Sequence, residues 1–265
     1  MSEPFYIKEA TAPVVPIILS IPHSGTEFPD EIKDDYLPEQ LASLDDTDWF
    51  LQDLYDFAPA MGITIVHAKY SRWAIDLNRD PKSAPLYNDG RLITGLCSST
   101  DFLGNQLYKE GRIPDEKEQE RRLEKYYWPY YQMVTNLLAQ RKEQFGEALL
   151  WDAHSIREKV LTIRPTSFPE MILGNVDGKS SRNDLIKNTL KTLSSTFSVS
   201  HNDPFKGGHI TRYFGDPSNK IHALQLERNK NLYMDDSETK YDAERAAKMQ
   251  LVLKQNFIEL IDILS

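Results

Sequence analysis

Two histidines stand where apolar runs of the chain end, and both are followed by serine. The first run ends in Pro22-His23-Ser24, and the second ends in Ala153-His154-Ser155. Either histidine alone fits a neutral imidazole buried in a core. Imidazole is also the usual ligand for zinc, and catalytic zinc takes three protein ligands and leaves a fourth position for water. The matched pair therefore predicts a site for one divalent metal ion, with zinc as the expected metal.

A third ligand is sought among the acids of the run Leu44–Phe50, which holds Asp45, Asp46 and Asp48. Aspartates at this place also fit the first turn of a helix, where they cap free N–H groups and offset the helix dipole. With two histidines awaiting a partner, we rank Asp48 first and Asp46 second. The sequence leaves the choice between the two open.

Glu227 ends the otherwise apolar strand-like run that starts at Ile221. An acid at this place lies either at an exposed sheet edge or in a working site. Metal-assisted hydrolysis needs a base that takes a proton from water, and glutamate is a common choice. Asp152 precedes His154 by two residues and so shares its sheet face. It is either a hydrogen-bond acceptor for a ligand histidine or an unrelated buried carboxylate.

Arginines that suit carboxylate capture occur in two segments. Arg72 and Arg79 flank a short strand-like piece that also holds Asn78, and Arg212 follows the pair Gly207-Gly208. The planar guanidinium binds carboxylates with two parallel hydrogen bonds. For any one of these arginines, an ordinary surface salt bridge is the simpler interpretation.

Composition narrows the function classes. The chain has 265 residues with 31 Lys and Arg against 40 Asp and Glu, which gives a net charge of −9. This balance disfavours nucleic-acid binding but permits a small anionic substrate held in a locally positive cleft. Cys97 is the single cysteine, and neither a signal peptide nor a membrane span is recognisable. We expect a cytoplasmic protein with no membrane association and no obligate protein partner.

Strands and helices alternate along the chain in a way that positions these residues. Short apolar runs predict strands at Val14–Pro22, Gly62–Ala68, Leu149–His154, Met171–Gly174 and Ile221–Leu226. Amphipathic stretches predict helices at Pro38–Ala60, Asp115–Phe145, Ser181–Leu193 and Ser237–Ile263. This order predicts one α/β domain with a mixed, largely parallel central sheet flanked by helices. Ligands of such sheets bind beyond the carboxyl ends of the strands, where both histidines and Glu227 fall.

The ordered set of motifs resembles the N-formylglutamate amidohydrolase (N-formylglutamate deformylase) family over about residues 13–236. The matching segments are Pro22–Gly25, Asp46–Phe50, Ser71-Arg72, Asp76–Arg79, Thr94–Cys97, Asp152–Ile156, Gly207–Arg212, His222–Glu227 and Leu232–Asp235. The resemblance implies a single catalytic domain over residues 1–265, with a fold similar to that of zinc carboxypeptidases. It implies His23, Asp48 and His154 as zinc ligands and Glu227 as the base. It also places Asn78 and Arg79 at a substrate carboxylate.

The resemblance implies hydrolysis of N-formyl-L-glutamate to formate and L-glutamate, a step of histidine degradation. Two positions depart from the family pattern, since Ala153 replaces a common cysteine and His209 replaces a common tyrosine. We expect His209 to line the substrate pocket, together with Arg72 and Arg212. The departure keeps two alternatives open: a deacylase of another N-acyl amino acid, and a catalytically silent ligand-binding protein on the same scaffold.

Overall fold

The computed structural model describes residues 3–82 and 94–265, and seven of its strands form one sheet. The sheet order is β1-β3-β2-β4-β7-β5-β6. The strands are β1 (Phe5–Lys8), β2 (Ile17–Ile21), β3 (Thr64–Ala68), β4 (Ala148–Ala153), β5 (Met171–Gly174), β6 (Val199–His201) and β7 (Ile221–Arg228). The four central strands β3, β2, β4 and β7 run parallel, whereas β1 and β5 pair antiparallel with β3 and β7. The predicted mixed, largely parallel sheet is confirmed.

Helices cover both faces of this sheet. They are α1 (Asp30–Lys33), α2 (Pro38–Ala42), α3 (Leu51–Leu54), α4 (Glu116–Arg122), α5 (Trp128–Phe145), α6 (Asn183–Leu193), α7 (His209–Phe214) and α8 (Ala243–Leu264). Apolar residues of α3, α6 and α8 pack on one face, and those of α5 and α7 pack on the other. Both faces of the central strands are therefore buried, which explains why their sequences show no clean alternation of apolar and polar residues.

Side chains of β4 alternate between the two faces of the sheet. Leu149 and Trp151 belong to the core under α8, whereas Leu150 belongs to the core under α5. Because successive side chains alternate in direction, Asp152 and the following His154 share the α5 face with Leu150. Tyrosines at helical spacing on α5 and on the turn before it also belong to the core, and they include Tyr127, Tyr130 and Tyr131.

The prediction of one helix over Pro38–Ala60 is wrong. The segment forms α2, α3 and a 3₁₀ turn at Ala58–Met61, with residues 43–50 in an irregular loop between the first two. Aspartate, serine and threonine are weak helix formers because their side chains compete for hydrogen bonds. Here Asp46 accepts hydrogen bonds from the Trp73 indole and the Phe102 N–H, and Phe50 adopts a left-handed φ of 62°. Both features stop helix propagation.

Capping aspartates determine where two of the other helices begin. The helix predicted from Asp115 begins there, because the Asp115 carboxylate accepts the Glu118 N–H. That helix runs to Phe145 through a π-helical turn at Leu123–Tyr127. The last helix begins later than predicted, because Asp242 caps its N–H groups. Short edge strands β1 and β6 and the six-residue α7 were not predicted. None of the helices in the described ranges is long and apolar enough to cross a membrane.

Candidate active site

Three side chains converge beyond the carboxyl ends of the central strands. His23 follows β2, His154 follows β4, and Asp48 lies in the loop 43–50, whose Asp48 N–H donates to the His23 carbonyl. The two Nδ1 atoms are 3.1 Å apart and lie 3.7 and 3.4 Å from the Asp48 Oδ2. Ligands at about 2.0–2.1 Å from a tetrahedral zinc ion are about 3.3–3.4 Å apart. This donor set therefore fits one zinc ion.

Asp48 Oδ2 strengthens that fit. The atom is buried and accepts no hydrogen bond from the described residues. An ionised oxygen withdrawn from water is costly unless a cation or a donor compensates it. Asp46, the second-ranked acid, differs because its two oxygens accept from Trp73 Nε1 at 2.8 Å and from the Phe102 N–H at 3.1 Å. The structure thus brings Asp48, and not Asp46, to the two imidazoles.

Carboxylates orient both histidines through the far ring nitrogen. His23 Nε2 lies 2.8 Å from Asp76 Oδ1, and His154 Nε2 lies 3.2 Å from Asp152 Oδ2. A proton held at Nε2 leaves the Nδ1 lone pair for a metal, and such outer partners are a regular part of metal sites. Asp152 thus contacts His154, which is the contact that the first of its two interpretations requires. Asp76 was not predicted for this role, although it lies in the Asp76–Arg79 motif.

The charges of the site favour a cation between its acids. Burial alone would lower the pKa of His154, but Asp152 and Asp48 outweigh burial and raise this pKa well above its usual value. Burial, assisted by the Arg72 charge, lowers the pKa of His23 to about 4. Since a ligand imidazole must be neutral, a metal ion competes with the proton held at His154. Metal affinity should consequently increase with pH.

Glu227 projects from β7 next to this donor set. Its Oε2 is buried without a hydrogen-bond partner among the described residues, and its Oε1 lies 3.5 Å from Gln225 Nε2. Burial raises the pKa of the Glu227 carboxyl to about 7. Because β2, β4 and β7 are consecutive in the sheet, His23, His154 and Glu227 extend from adjacent strand ends. A carboxyl group with a free oxygen and this pKa suits proton transfer near neutral pH.

Arg72 and Arg79 converge on Asp76. Arg72 is buried, with its NH2 2.6 Å from Asp76 Oδ2 and its guanidinium 4.7 Å from the ring of Phe102. Arg79 NH1 lies 3.7 Å from the same carboxylate oxygen, and its Nε and NH2 donate to Thr94. Together these two cations lower the pKa of Asp76 despite its burial. Both arginines thus support the carboxylate that orients His23.

Asn78 joins the metal-ligand region to α7. Its Nδ2 lies 3.1 Å from His154 Nε2, and its Oδ1 accepts the Ile210 N–H at 2.8 Å. On α7, His209 Nδ1 lies 3.8 Å from Asp80, and burial lowers the pKa of His209. Arg212 Nε donates to the Gly207 carbonyl. Asn78 therefore fixes the start of α7, the helix that carries the predicted substrate-binding residues His209 and Arg212.

Replacing Gly208 by alanine is expected to disturb this junction. A Cβ at Gly208 would lie 2.2 Å from Asn78 Nδ2 and 2.4 Å from Asn78 Oδ1, and the Asn78 amide is held by the Ile210 N–H, which its Oδ1 accepts at 2.8 Å. Overpacking of this kind costs about 1–3 kcal/mol of unfolding free energy. Urea unfolding should show that loss for Gly208→Ala. Gly95→Ala, whose Cβ meets nothing within 4 Å, should unfold like wild type, and equal stabilities of the two variants would contradict the argument.

Replacing Asp76 by asparagine is expected to weaken metal binding without removing a ligand. The asparagine keeps the shape but loses the charge that holds His23 Nε2–H at 2.8 Å. Loss of such an outer partner typically costs about 10–100-fold in metal affinity. Competition with a chelator would measure this change. Asp101→Asn, at a buried aspartate whose bonds go to Asn105 and Leu103, is the control, and equal zinc affinity in wild type and Asp76→Asn would disprove the role.

The fold and site together define an α/β protein with a candidate mononuclear metal centre and an adjacent glutamate at the strand ends. Residues 15–234 match the model of the N-formylglutamate amidohydrolase family. The chain belongs to that family. It is 42% identical over 244 residues to the N-formylglutamate deformylase of Pseudomonas putida, covering 91% of this chain and 90% of the relative. It is 39% identical to the enzyme of that name from Pseudomonas aeruginosa, with 91% of each chain covered.

Two solved structures have the same fold. The N-formylglutamate amidohydrolase from Ralstonia eutropha JMP134 superposes with a TM-score of 0.82 at 26% identity, covering 99% of this chain and 98% of that one. A gene product of Agrobacterium tumefaciens shares the fold with a TM-score of 0.74 at 16% identity, covering 98% and 96% of the two chains. The family predicted from the sequence motifs is confirmed.

Proposed function

We propose that this chain is a zinc-dependent deformylase that hydrolyses N-formyl-L-glutamate to formate and L-glutamate, as a step of histidine degradation. Its family and the names of its two Pseudomonas relatives support the substrate. The observation that carries the proposal is the convergence of His23 Nδ1, His154 Nδ1 and Asp48 Oδ2. Glu227 supplies a buried carboxylate oxygen nearby that has no hydrogen-bond partner among the described residues.

In the proposed mechanism His23, Asp48 and His154 hold the zinc. When bound, zinc lowers the pKa of a coordinated water toward about 7 and polarises the acyl oxygen. Glu227 accepts a proton from the attacking water on its free Oε2 and delivers it to the departing nitrogen. Its neighbour Gln225 lies 3.5 Å from the other oxygen and helps to orient the carboxyl group.

The cationic and polar residues beside Asp76 and on α7 would receive the substrate. We assign Arg72, Arg79 and Arg212 to the substrate carboxylates or to the charge that develops on the acyl oxygen. Asn78 and His209 complete the pocket wall, and the Asn78 contacts described above place its amide between His154 and α7. His209 stands where the family commonly has tyrosine, so a deacylase of another N-acyl amino acid is the second candidate.

A panel of substrates tests the proposed function directly. The zinc-loaded protein should hydrolyse N-formyl-L-glutamate with a kcat/KM above those for N-formyl-L-aspartate and N-acetyl-L-glutamate, as measured by formate or acetate release. A higher kcat/KM for either of the other two would establish the second candidate. Binding without turnover of any of them would establish a silent binding protein and overturn the proposal.

Substrate binding should weaken as salt is added. The protein has a net charge of −9, so a dianionic substrate depends on the local positive charge of its pocket. The Debye length falls from about 10 Å at 0.1 M salt to about 3 Å at 1 M, which screens this attraction. We expect KM for N-formyl-L-glutamate to rise severalfold over this range, whereas KM for N-formyl-L-methionine rises less. A salt-independent KM for N-formyl-L-glutamate would refute this expectation.

A further inference from the structure

A small recess lies beside the proposed metal ligands. It is partly enclosed, has a volume of about 20 Å³, and is lined in part by Asp46, Phe102, Ser155 and Lys230. Such a volume holds about one water-sized group. Ser155 follows the ligand His154, and Asp46 precedes the ligand Asp48 by two residues. The recess therefore adjoins two of the three proposed metal ligands.

Lys230 brings a poorly compensated charge to this recess. Only 4% of the residue is exposed, and the one hydrogen bond that its ammonium makes within the described residues is a long one, 3.4 Å to the Asp45 carbonyl. Across residues 3–82 and 94–265, no carboxylate oxygen lies within 4.0 Å of its Nζ. Burial lowers the pKa of Lys230, and the Asp48 charge is the foremost of the influences that oppose this shift. An ammonium has three protons to donate, and here most of that capacity is unused.

The acids that line the recess are already engaged. Asp45 pairs with Arg157, and both oxygens of Asp46 accept hydrogen bonds from Trp73 and Phe102. The Ser155 hydroxyl, in contrast, is buried without a hydrogen-bond partner in the described structure. The recess consequently offers donors from Lys230 and Ser155. An anionic oxygen is the group that these donors suit best.

We propose that Lys230 binds the side-chain carboxylate of the substrate in this recess and thereby selects N-acyl amino acids with an acidic side chain. This inference rests on the proposed function and assigns the side-chain carboxylate to Lys230, so that the arginines assigned above act on the α-carboxylate or on the charge of the acyl oxygen. The α-carboxylate is attached to the carbon next to the scissile nitrogen, so the metal centre constrains its position. The side-chain carboxylate ends a flexible chain, and one of its oxygens is about as large as the single water-sized group for which the recess has room.

The test compares Lys230→Met with wild type on two substrates that differ only in the side-chain charge. N-formyl-L-glutamate carries the carboxylate, and N-formyl-L-glutamine is its neutral counterpart of equal shape. Loss of a charge-assisted hydrogen bond should lower kcat/KM for N-formyl-L-glutamate by about 10–100-fold. The value for N-formyl-L-glutamine and the zinc content should stay near those of wild type. Lys248→Met removes an exposed lysine and should change neither value.

Calorimetry gives a readout that does not depend on turnover. L-glutamate should bind zinc-loaded Lys230→Met about 10–100-fold more weakly than wild type, whereas L-glutamine should bind both alike. Lys230→Gln serves as a second variant if the methionine variant does not fold. Equal losses for the acidic and the neutral ligand, or no loss for either, would overturn the role of Lys230. A wild type that binds L-glutamate through Lys230 but does not hydrolyse N-formyl-L-glutamate would instead contradict the proposed function alone.

Discussion

Glu227→Gln is expected to lower kcat for N-formyl-L-glutamate by about 10³-fold, within the range measured for general acid–base groups. Glutamine has nearly the same shape but cannot accept a proton at the position of Oε2. The residue is not one of the three converging ligand groups, so the variant should keep its metal. The measurement combines steady-state kinetics with the zinc content of the purified protein.

Two controls distinguish loss of the base from general damage. Glu244→Gln alters an exposed glutamate in the first turn of α8 and should leave kcat unchanged. The unfolding free energy of Glu227→Gln should not fall, because it removes a carboxylate whose burial opposes its ionisation. A zinc-replete Glu227→Gln protein with nearly wild-type kcat would show that another group takes the proton.

The pH dependence of kcat/KM tests the role of Glu227 independently. Burial raises the pKa of Glu227 to about 7, and the residue acts as a base only when it is ionised. Therefore kcat/KM should rise with pH along an acid limb and level off above the pKa of the group. A metal cation favours the ionised form, so the limb of the zinc-loaded protein should lie below pH 7. A kcat/KM that falls as pH increases from 5 to 7 would contradict this assignment.

Removal of the metal is expected to abolish turnover, and one equivalent of zinc should restore it. His154→Ala and Asp48→Asn each change one of the three converging donors, whose ligand atoms lie within 4.8 Å of one another. Their zinc affinity should fall by more than the roughly 100-fold that marks the loss of an outer partner. Metal analysis after dialysis, together with activity, measures both effects.

Asp46→Asn is the matched control for Asp48→Asn. It alters an aspartate two residues away whose oxygens bond to Trp73 and Phe102, so zinc should be retained. His201→Ala is the corresponding control for His154→Ala, because His201 contacts Asn175 and Asn202 away from the donor set. Zinc loss from Asp46→Asn with retention in Asp48→Asn would reverse the ligand assignment.

Local sequence patterns were sufficient to predict the fold class and to single out three residues at strand ends. Each central strand is a short apolar run buried on both faces, so the run and the polar residue that ends it are visible without knowledge of the fold. Parallel strands then bring their carboxyl ends to one edge of the sheet, which accounts for the proximity of His23, His154 and Glu227. The order of short strands and longer helices likewise indicated a sheet covered on both faces.

Only the tertiary structure determines which side chains, distant in the sequence, come into contact with each other. Asp46 and Asp48 are similar in sequence, but only Asp48 is brought to the imidazoles, because Asp46 is held by Trp73 and Phe102, which lie 27 and 56 positions further along the chain. The same long-range bonds replace the predicted helix by a loop. Asp76 and Lys230 acquire their proposed roles from where their side chains point and from what is left unpaired around them. Residue type and spacing predict neither the direction of these side chains nor the unpaired groups around them, because side-chain direction in a loop follows no fixed period.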